Sequence, residues 1–190
     1  ALYQLHHRNV TLAILFSTIH FADKRLLEGV IYSLGNVKLI GCTGAALISS
    51  QGISKYGVGV MLISSDKIKF GIAHTPDINV AGARDSGERF AQHALRNLST
   101  PQRDLALIFS DGLVENGSEL LRGIKGILGL SFPIFGASSA DNFRFYKTFQ
   151  YFNHEVLTNS IVGAVFAGEN IFGFGLRHGW KPLGRPHVIT

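Results

Sequence analysis

Two short loops of small residues are the stretches of this chain where backbone and side chains could together bind a ligand. They are residues 41–45 (Gly-Cys-Thr-Gly-Ala) and 136–141 (Gly-Ala-Ser-Ser-Ala-Asp), and each follows a short apolar run. Small residues directly after a strand leave backbone N–H groups open to a ligand. Those N–H groups can donate to a carboxylate, and the side chain of Asp141 or Asp111 can hold an ammonium group. The loops therefore predict a site for a small ligand such as an amino acid.

Cysteine and histidine allow two other chemistries. Cys42 would be a nucleophile if a helix N-terminus or a protonated His178 stabilised its thiolate, and it would be an inert buried thiol otherwise. None of the eight histidines pairs at metal-ligand spacing with acidic partners, and no Gly-x-Ser-x-Gly or Walker-type loop occurs. His178 stands two residues before Trp180, which could wall an apolar pocket. His178 is therefore the histidine best suited to contact a ligand or to serve as a haem axial ligand.

Composition narrows the class of protein. The chain has 190 residues, of which 46% are hydrophobic and 16% charged, as is typical of a globular domain with a real core. The formal charge of +5 comes from scattered Lys and Arg residues, so we expect no nucleic-acid partner. The apolar runs have the length of strands, so we expect no membrane contact by this segment. A single cysteine, Cys42, is incompatible with an internal disulfide framework and fits a cytoplasmic protein.

The motifs around the two loops occur twice in the same order. Besides the loops, the matching pairs are Thr11–Ser17 with Asp104–Ser110, Leu26–Gly29 with Leu120–Gly123, Val58–Val60 with Val162–Ala164, and Phe70–His74 with Phe174–His178. This pattern predicts a tandem duplication in which repeats at about 1–80 and 84–182 form one domain over 1–190. Because Ala1–Leu5 resembles the helix end Ala91–Leu95, we expect the first repeat to begin inside its leading helix, as in a fragment of a longer protein.

Each repeat has the pattern β-α-β-β-β, which places the chain in the α/β (α+β, mixed-sheet) class. A strand–helix–strand step makes parallel neighbours, and the short turns that follow it make antiparallel ones. We thus expect residues 56–64 and 68–73 to form one hairpin, and strands over 160–166 and 170–177 to form another. Two such sheets are predicted to pack as an α-β-β-α sandwich. One continuous mixed sheet with helices on its faces is the alternative.

A series of motifs along the chain carries a family resemblance. They are Gly41-Cys-Thr-Gly44, Phe109-Ser-Asp-Gly-Leu113, Asn116-Gly117, Leu120-Leu-Arg-Gly123, Pro133-Ile-Phe-Gly136 with Asp141, and His178-Gly-Trp180 with Pro182 and Gly184. Over nearly its whole length the chain resembles the FIST N-terminal domain, a sensory module of signal-transduction proteins. The resemblance implies binding of an amino acid or similar metabolite, with a C-terminal FIST domain and a downstream signalling output module as partners. Because some members are reported to sense nitric oxide through haem, it also implies that alternative.

The expected site is a non-catalytic one, formed where residues 42–45, 110–112 and 137–141 converge. Its predicted members are Cys42, Thr43, Gly44, Ser110, Asp111, Gly112, Gly136, Ser138, Ser139, Asp141, His178 and Trp180. The family's loop before this aspartate is richer in glycine, so the hydroxyls of Ser138 and Ser139 are expected to alter the choice of ligand. A Cys-dependent hydrolase would instead need Cys42 exposed beside a histidine. A purely structural or partner-binding module would show an exposed apolar patch and no cavity.

Overall fold

The computed structural model describes residues 1–5, 9–78, 82–169, 171–175, 177, 179–181 and 183–184. These residues form three α-helices and eleven strands, with short 3₁₀ turns at Tyr3–Leu5 and Ile19–Phe21. The helices are α1 (Lys24–Leu34), α2 (Ala83–Arg96) and α3 (Gly117–Leu128). The strands are β1 (Leu12–Thr18), β2 (Leu39–Gly44), β3 (Leu47–Ser49), β4 (Gly52–Ser54), β5 (Val58–Ile63), β6 (Ile68–Thr75), β7 (Leu105–Ser110), β8 (Ile134–Ser138), β9 (Gln150–Phe152), β10 (Glu155–Leu157) and β11 (Ile161–Gly168).

The long strands form two separate mixed sheets. The first sheet has the order β10-β9-β2-β1-β5, the second has the order β6-β11-β7-β8, and β3 pairs with β4 as a small hairpin. In each sheet one strand–helix–strand step makes a parallel pair, β1–β2 or β7–β8. The antiparallel strand β5 or β11 then flanks that pair. The mixed α/β fold class is confirmed, and the alternative of one continuous sheet is wrong.

Three apolar layers place the helices and sheets in the order α-β-β-α. The layer between the sheets contains residues of both, including Leu12, Ile14, Ile40, Cys42, Phe70, Ile72, Phe109 and Val162. The outer face of the first sheet packs against α1 through Leu15, Leu27 and Leu39. The outer face of the second sheet packs against α2 and α3 through Phe90, Ile108 and Ile124. Burying each large aliphatic or aromatic side chain stabilises the fold by about 1.5–3 kcal/mol.

The same close contact at a glycine occurs between the parallel strands of both sheets. A Cβ atom on Gly41 would lie 1.9 Å from the carbonyl oxygen of Leu15, and a Cβ atom on Gly136 would lie 2.0 Å from that of Ile108. Gly41 pairs with Leu15 and Gly136 with Ile108, so the two contacts occupy equivalent positions. A tandem duplication predicts this agreement, because both halves then inherit one local geometry.

One of the matched sequence pairs is out of register by one residue. Residues 58–60 match 162–164 by letters, which equates Gly59 with Gly163. In the structure Gly59 pairs with Phe16, whereas Val162 pairs with Phe109, the counterpart of Phe16. Gly59 therefore corresponds to Val162. Because side chains alternate along a strand, this offset decides which residues of β5 face the helix.

The predicted hairpin of residues 56–64 and 68–73 is also wrong. Strand β5 pairs with β1 in the first sheet, while β6 pairs antiparallel with β11 in the second. The polar turn at residues 65–67 thus carries the chain from one sheet to the other. In the region predicted as a strand over 170–177, the described residues 171–175 and 177 lie outside any strand.

Replacing Gly41 with alanine should strongly destabilise the fold. The added methyl group would overlap the Leu15 carbonyl and force β1 and β2 apart, which should lower the free energy of unfolding by about 3 kcal/mol. Urea unfolding followed by circular dichroism measures the change. The control is Gly126→Ala on α3, where nothing lies within 4 Å and where alanine favours the helix. Equal stability of Gly41→Ala and the parent chain would contradict this account of strand spacing.

Candidate functional site

The three predicted loops meet at the carboxyl ends of β2, β7 and β8. The backbone N–H of Ser139 donates to the carbonyl of Ser110 at 2.8 Å, and that of Ala140 donates to the carbonyl of Thr43 at 2.9 Å. A Cβ atom on Gly112 would lie 2.0 Å from the carbonyl oxygen of Ser139, so these two loops touch directly. The loops after β7 and β8 meet because these parallel strands end at the same edge of the second sheet. The loop after β2 belongs to the first sheet and reaches them across the sandwich, through the Ala140–Thr43 hydrogen bond.

The loop of the first half is packed shut. Cys42 is buried between the sheets, and this burial raises the pKa of its thiol to about 12, which keeps it protonated and unreactive at neutral pH. Thr43 is also buried, and its Oγ1 accepts from the backbone N–H of Phe149 at 3.1 Å. Gly44 is half-buried at the end of β2. Cys42 thus lacks the exposure that the hydrolase hypothesis requires.

The carboxylate of Asp141 organises the loop that follows it. Its Oδ1 accepts from the backbone N–H groups of Arg144 and Phe145, and its Oδ2 accepts from those of Tyr146 and Lys147, at 2.7–3.1 Å. Burial acts to raise the pKa of Asp141, but the four N–H donors outweigh it and hold the pKa below its usual value. Three residues of this loop have left-handed backbone angles: Asn142, Phe143 and Phe145. Both carboxylate oxygens are engaged, so Asp141 shapes the loop instead of offering an oxygen to a ligand.

Asp111 and Ser139 likewise bind neighbouring segments of the chain. Asp111 Oδ1 accepts from the backbone N–H of Leu113, and its Oδ2 accepts from that of Asn159, each at 2.8 Å. Ser139 is buried, and its Oγ accepts from the Gln150 amide at 2.7 Å. These contacts join the ends of β7 and β8 to the start of β9 and to the segment before β11. They thereby fix the positions of the neighbouring residues whose polar groups remain accessible.

A cavity of about 250 Å³ remains open between β7, β8 and the start of α3. Three of the predicted residues line it: Ser110, Gly136 and Ser138. The two serine hydroxyls lie 3.5 Å apart, which is long for a hydrogen bond between hydroxyls and leaves both able to bind a ligand. The helix α3 begins beside them at Gly117, whose backbone N–H belongs to the positively polarised helix end.

The apolar wall of this cavity is the part that sequence reasoning missed. It consists of Ile108, Leu120, Leu121, Ile134 and Phe135. The paired leucines Leu120 and Leu121 near the start of a helix, next to a strand that contains Gly136, were the available signal. Gly112 and Trp180 do not line the cavity, and the Trp180 side chain is 85% exposed. His178 lies outside the described residues.

The described residues around this cavity do not offer the side chains that a metal ion or a haem would need. Among the described residues, no group of three or more His, Cys, Asp and Glu side chains could hold a metal ion. The described residues that line the cavity include no His, Cys, Met or Tyr, so they provide no axial ligand for a haem.

The helices of the described segments are all too short or too polar to cross a bilayer.

The Asp141→Asn variant should be less stable than the parent chain at pH 7. It loses charge-assisted bonds to backbone N–H groups, which should lower the free energy of unfolding by about 2 kcal/mol. Because folding depresses the pKa of Asp141, its stabilisation is complete above the unfolded value of about 3.9 and is lost as the pH falls through the folded value. The difference between the two chains should therefore shrink from pH 5 to pH 3 in urea unfolding experiments. The exposed Asp66→Asn variant is the control, and a pH-independent difference would contradict the assigned role.

Comparison with known protein families assigns the chain to a family. The model of the FIST N domain matches residues 11–190, essentially the whole chain. No curated protein matches the chain. The resemblance predicted from the motifs is thereby confirmed. The chain belongs to the FIST N domain family, a family of sensory domains in signal transduction.

Proposed function

We propose that this sensory domain binds a small carboxylate-bearing metabolite, an amino acid or a similar compound, in the cavity at Ser110 and Ser138. The observation that carries the proposal is the pair of available hydroxyls beside the α3 N-terminus, at the carboxyl ends of two parallel strands. Open α/β sheets bind ligands at this kind of position. The volume of about 250 Å³ suits one small metabolite.

The cavity is lined by both polar and apolar groups, which together define the ligand. The hydroxyls of Ser110 and Ser138 and the N–H of Gly117 can donate to a carboxylate. Leu121 and Phe135 can cover a short aliphatic or aromatic group. The carboxylates of Asp111 and Asp141 are engaged by backbone N–H groups. We therefore expect the ligand's carboxylate to contribute more affinity than its ammonium group.

The domain acts as a sensor and not as an enzyme in this proposal. The buried, protonated thiol of Cys42 supports that assignment, since no other nucleophile with a general base was predicted. Membership of the FIST family supports a C-terminal FIST domain and a downstream output module as the partners that receive the signal. A cytoplasmic location fits the single free cysteine.

A thermal-shift panel tests the ligand class. The twenty amino acids and their 2-oxo acid analogues should include at least one compound that raises the melting temperature of the chain. At a hundredfold excess over Kd such a ligand stabilises the folded state by about 2.7 kcal/mol. The Ser138→Ala variant should bind it about tenfold more weakly, because one hydrogen bond to the carboxylate is lost.

The control variant is Ser50→Ala, an exposed serine on the turn between β3 and β4. It should leave the shift unchanged. Calorimetry on the Ser110→Ala and Ser138→Ala variants then measures the affinity of each compound directly. Absence of any shift across the panel, or a shift that survives loss of both serine hydroxyls, would contradict the proposed site.

A further inference from the structure

The flank of α1 that lies beside β5 is open, whereas the equivalent flank of α3 is covered by α2. Helices α2 and α3 pack closely: a Cβ atom on Gly123 would lie 2.0 Å from the carbonyl oxygen of Arg84, and one on Gly87 would lie 2.2 Å from that of Leu120. The repeat equates Gly123 with Gly29 on α1, where nothing lies within 4 Å. Glycine at a helix crossing allows two backbones to approach closely. Gly29 would therefore allow a second helix to cross α1 closely, but no such helix lies there among the described residues.

The other apolar residues on this side of α1 also differ in burial from their counterparts on α3. The buried residues of α3 are Leu120, Gly123, Ile124 and Leu128. Their counterparts on α1 all line an open groove of about 620 Å³, and they are Leu26, Gly29, Val30 and Leu34. Only Leu27 of α1 is buried. Val60 and Leu62 of β5 also line this groove. An apolar stripe of this width is typical of a helix face that contacts another element.

The amino-terminal turn already lies at one end of this groove. Ala1, Leu2 and Tyr3 line it, and the turn is closed by bonds from Gln4 N–H to the Ala1 carbonyl and from Leu5 N–H to the Leu2 carbonyl. Tyr3 is 90% exposed, and a groove of about 620 Å³ remains open with this turn in place. In the second half, the residues that match this turn are Ala91–Leu95, the last full turn of α2.

We propose that the groove along Leu26, Gly29, Val30 and Leu34 is a helix-docking site. Its occupant is an amphipathic α-helix that continues into the turn at Ala1–Leu5 and crosses α1 at Gly29, as α2 crosses α3 at Gly123. The buried residues of α2 define the required chemistry: a small residue, Gly87, at the crossing with α3, and Phe90 and Ala94 against the strands of the sheet. A helix with that stripe would give both sheets of the sandwich the same two-helix cover.

The test supplies such a helix from the chain itself. Residues 82–90 (Gly-Ala-Arg-Asp-Ser-Gly-Glu-Arg-Phe) are joined ahead of Ala1, so that the added segment and the existing turn reproduce the sequence pattern of α2. Docking should raise the melting temperature by roughly 4 °C or more, as expected when apolar surface of this extent is buried. It should also slow hydrogen exchange of the α1 amides.

Two substitutions make the result specific to the groove. Gly29→Leu should not destabilise the unextended chain, since nothing lies within 4 Å, but it should remove the gain in the extended chain by blocking the crossing point. Gly126→Leu on α3, equally free of neighbours, should leave the gain intact. No rise in melting temperature, or a rise that Gly29→Leu does not remove, would overturn the proposal. A concentration-dependent dimer in light scattering would also overturn it, because a second copy would then fill the groove.

Discussion

A buried amide, Gln150, holds the two sheets together at the end where the site lies. Its Nε2 donates to Ser139 Oγ at 2.7 Å and to Thr148 Oγ1 at 3.1 Å, and its Oε1 accepts from the backbone N–H of Ser160 at 3.2 Å. Gln150 belongs to β9 in the first sheet, whereas Ser139 and Ser160 adjoin β8 and β11 in the second. All four residues are buried. A buried polar group costs about 1–3 kcal/mol when unpaired, so this network fixes how the two sheets meet.

The same network explains why the two equivalent loops differ. The segment between β8 and β11 adds the β9–β10 hairpin to the first sheet, next to β2. That addition places Phe149 against Thr43 and closes the loop of the first half. No counterpart of this segment covers the end of β8 among the described residues, so the cavity of the second half stays open. Because of this one insertion, the loop of the first half is packed shut, whereas the loop of the second half lines a candidate binding site.

The candidate site is followed directly in the chain by a loop with exposed aromatic side chains. Ser138 lines the cavity, the next residue belongs to the Gln150 network, and Asp141 then anchors a loop that exposes Phe143, Phe145 and Tyr146. Exposed aromatic side chains on a well-anchored loop are typical of surfaces that bind partners. A short covalent and hydrogen-bonded path therefore links the end of β8 to this exposed surface.

Local pattern in the sequence predicted the strand–helix–strand step of each half, the two loops of small residues, the family and three residues that line the cavity, Ser110, Gly136 and Ser138. These features depend on the spacing of apolar residues and on the size of single residues, and both can be read from a short stretch of sequence. The local pattern did not predict the short strands β3, β4 and β10. Only the tertiary structure decided that β6 joins the second sheet, that Gly59 matches Val162, and that Asp141 binds its own loop. Each of these depends on which distant group occupies a hydrogen-bonding position. The local sequence determines that a strand or a carboxylate can form hydrogen bonds. The packing of the whole chain determines which partner forms them.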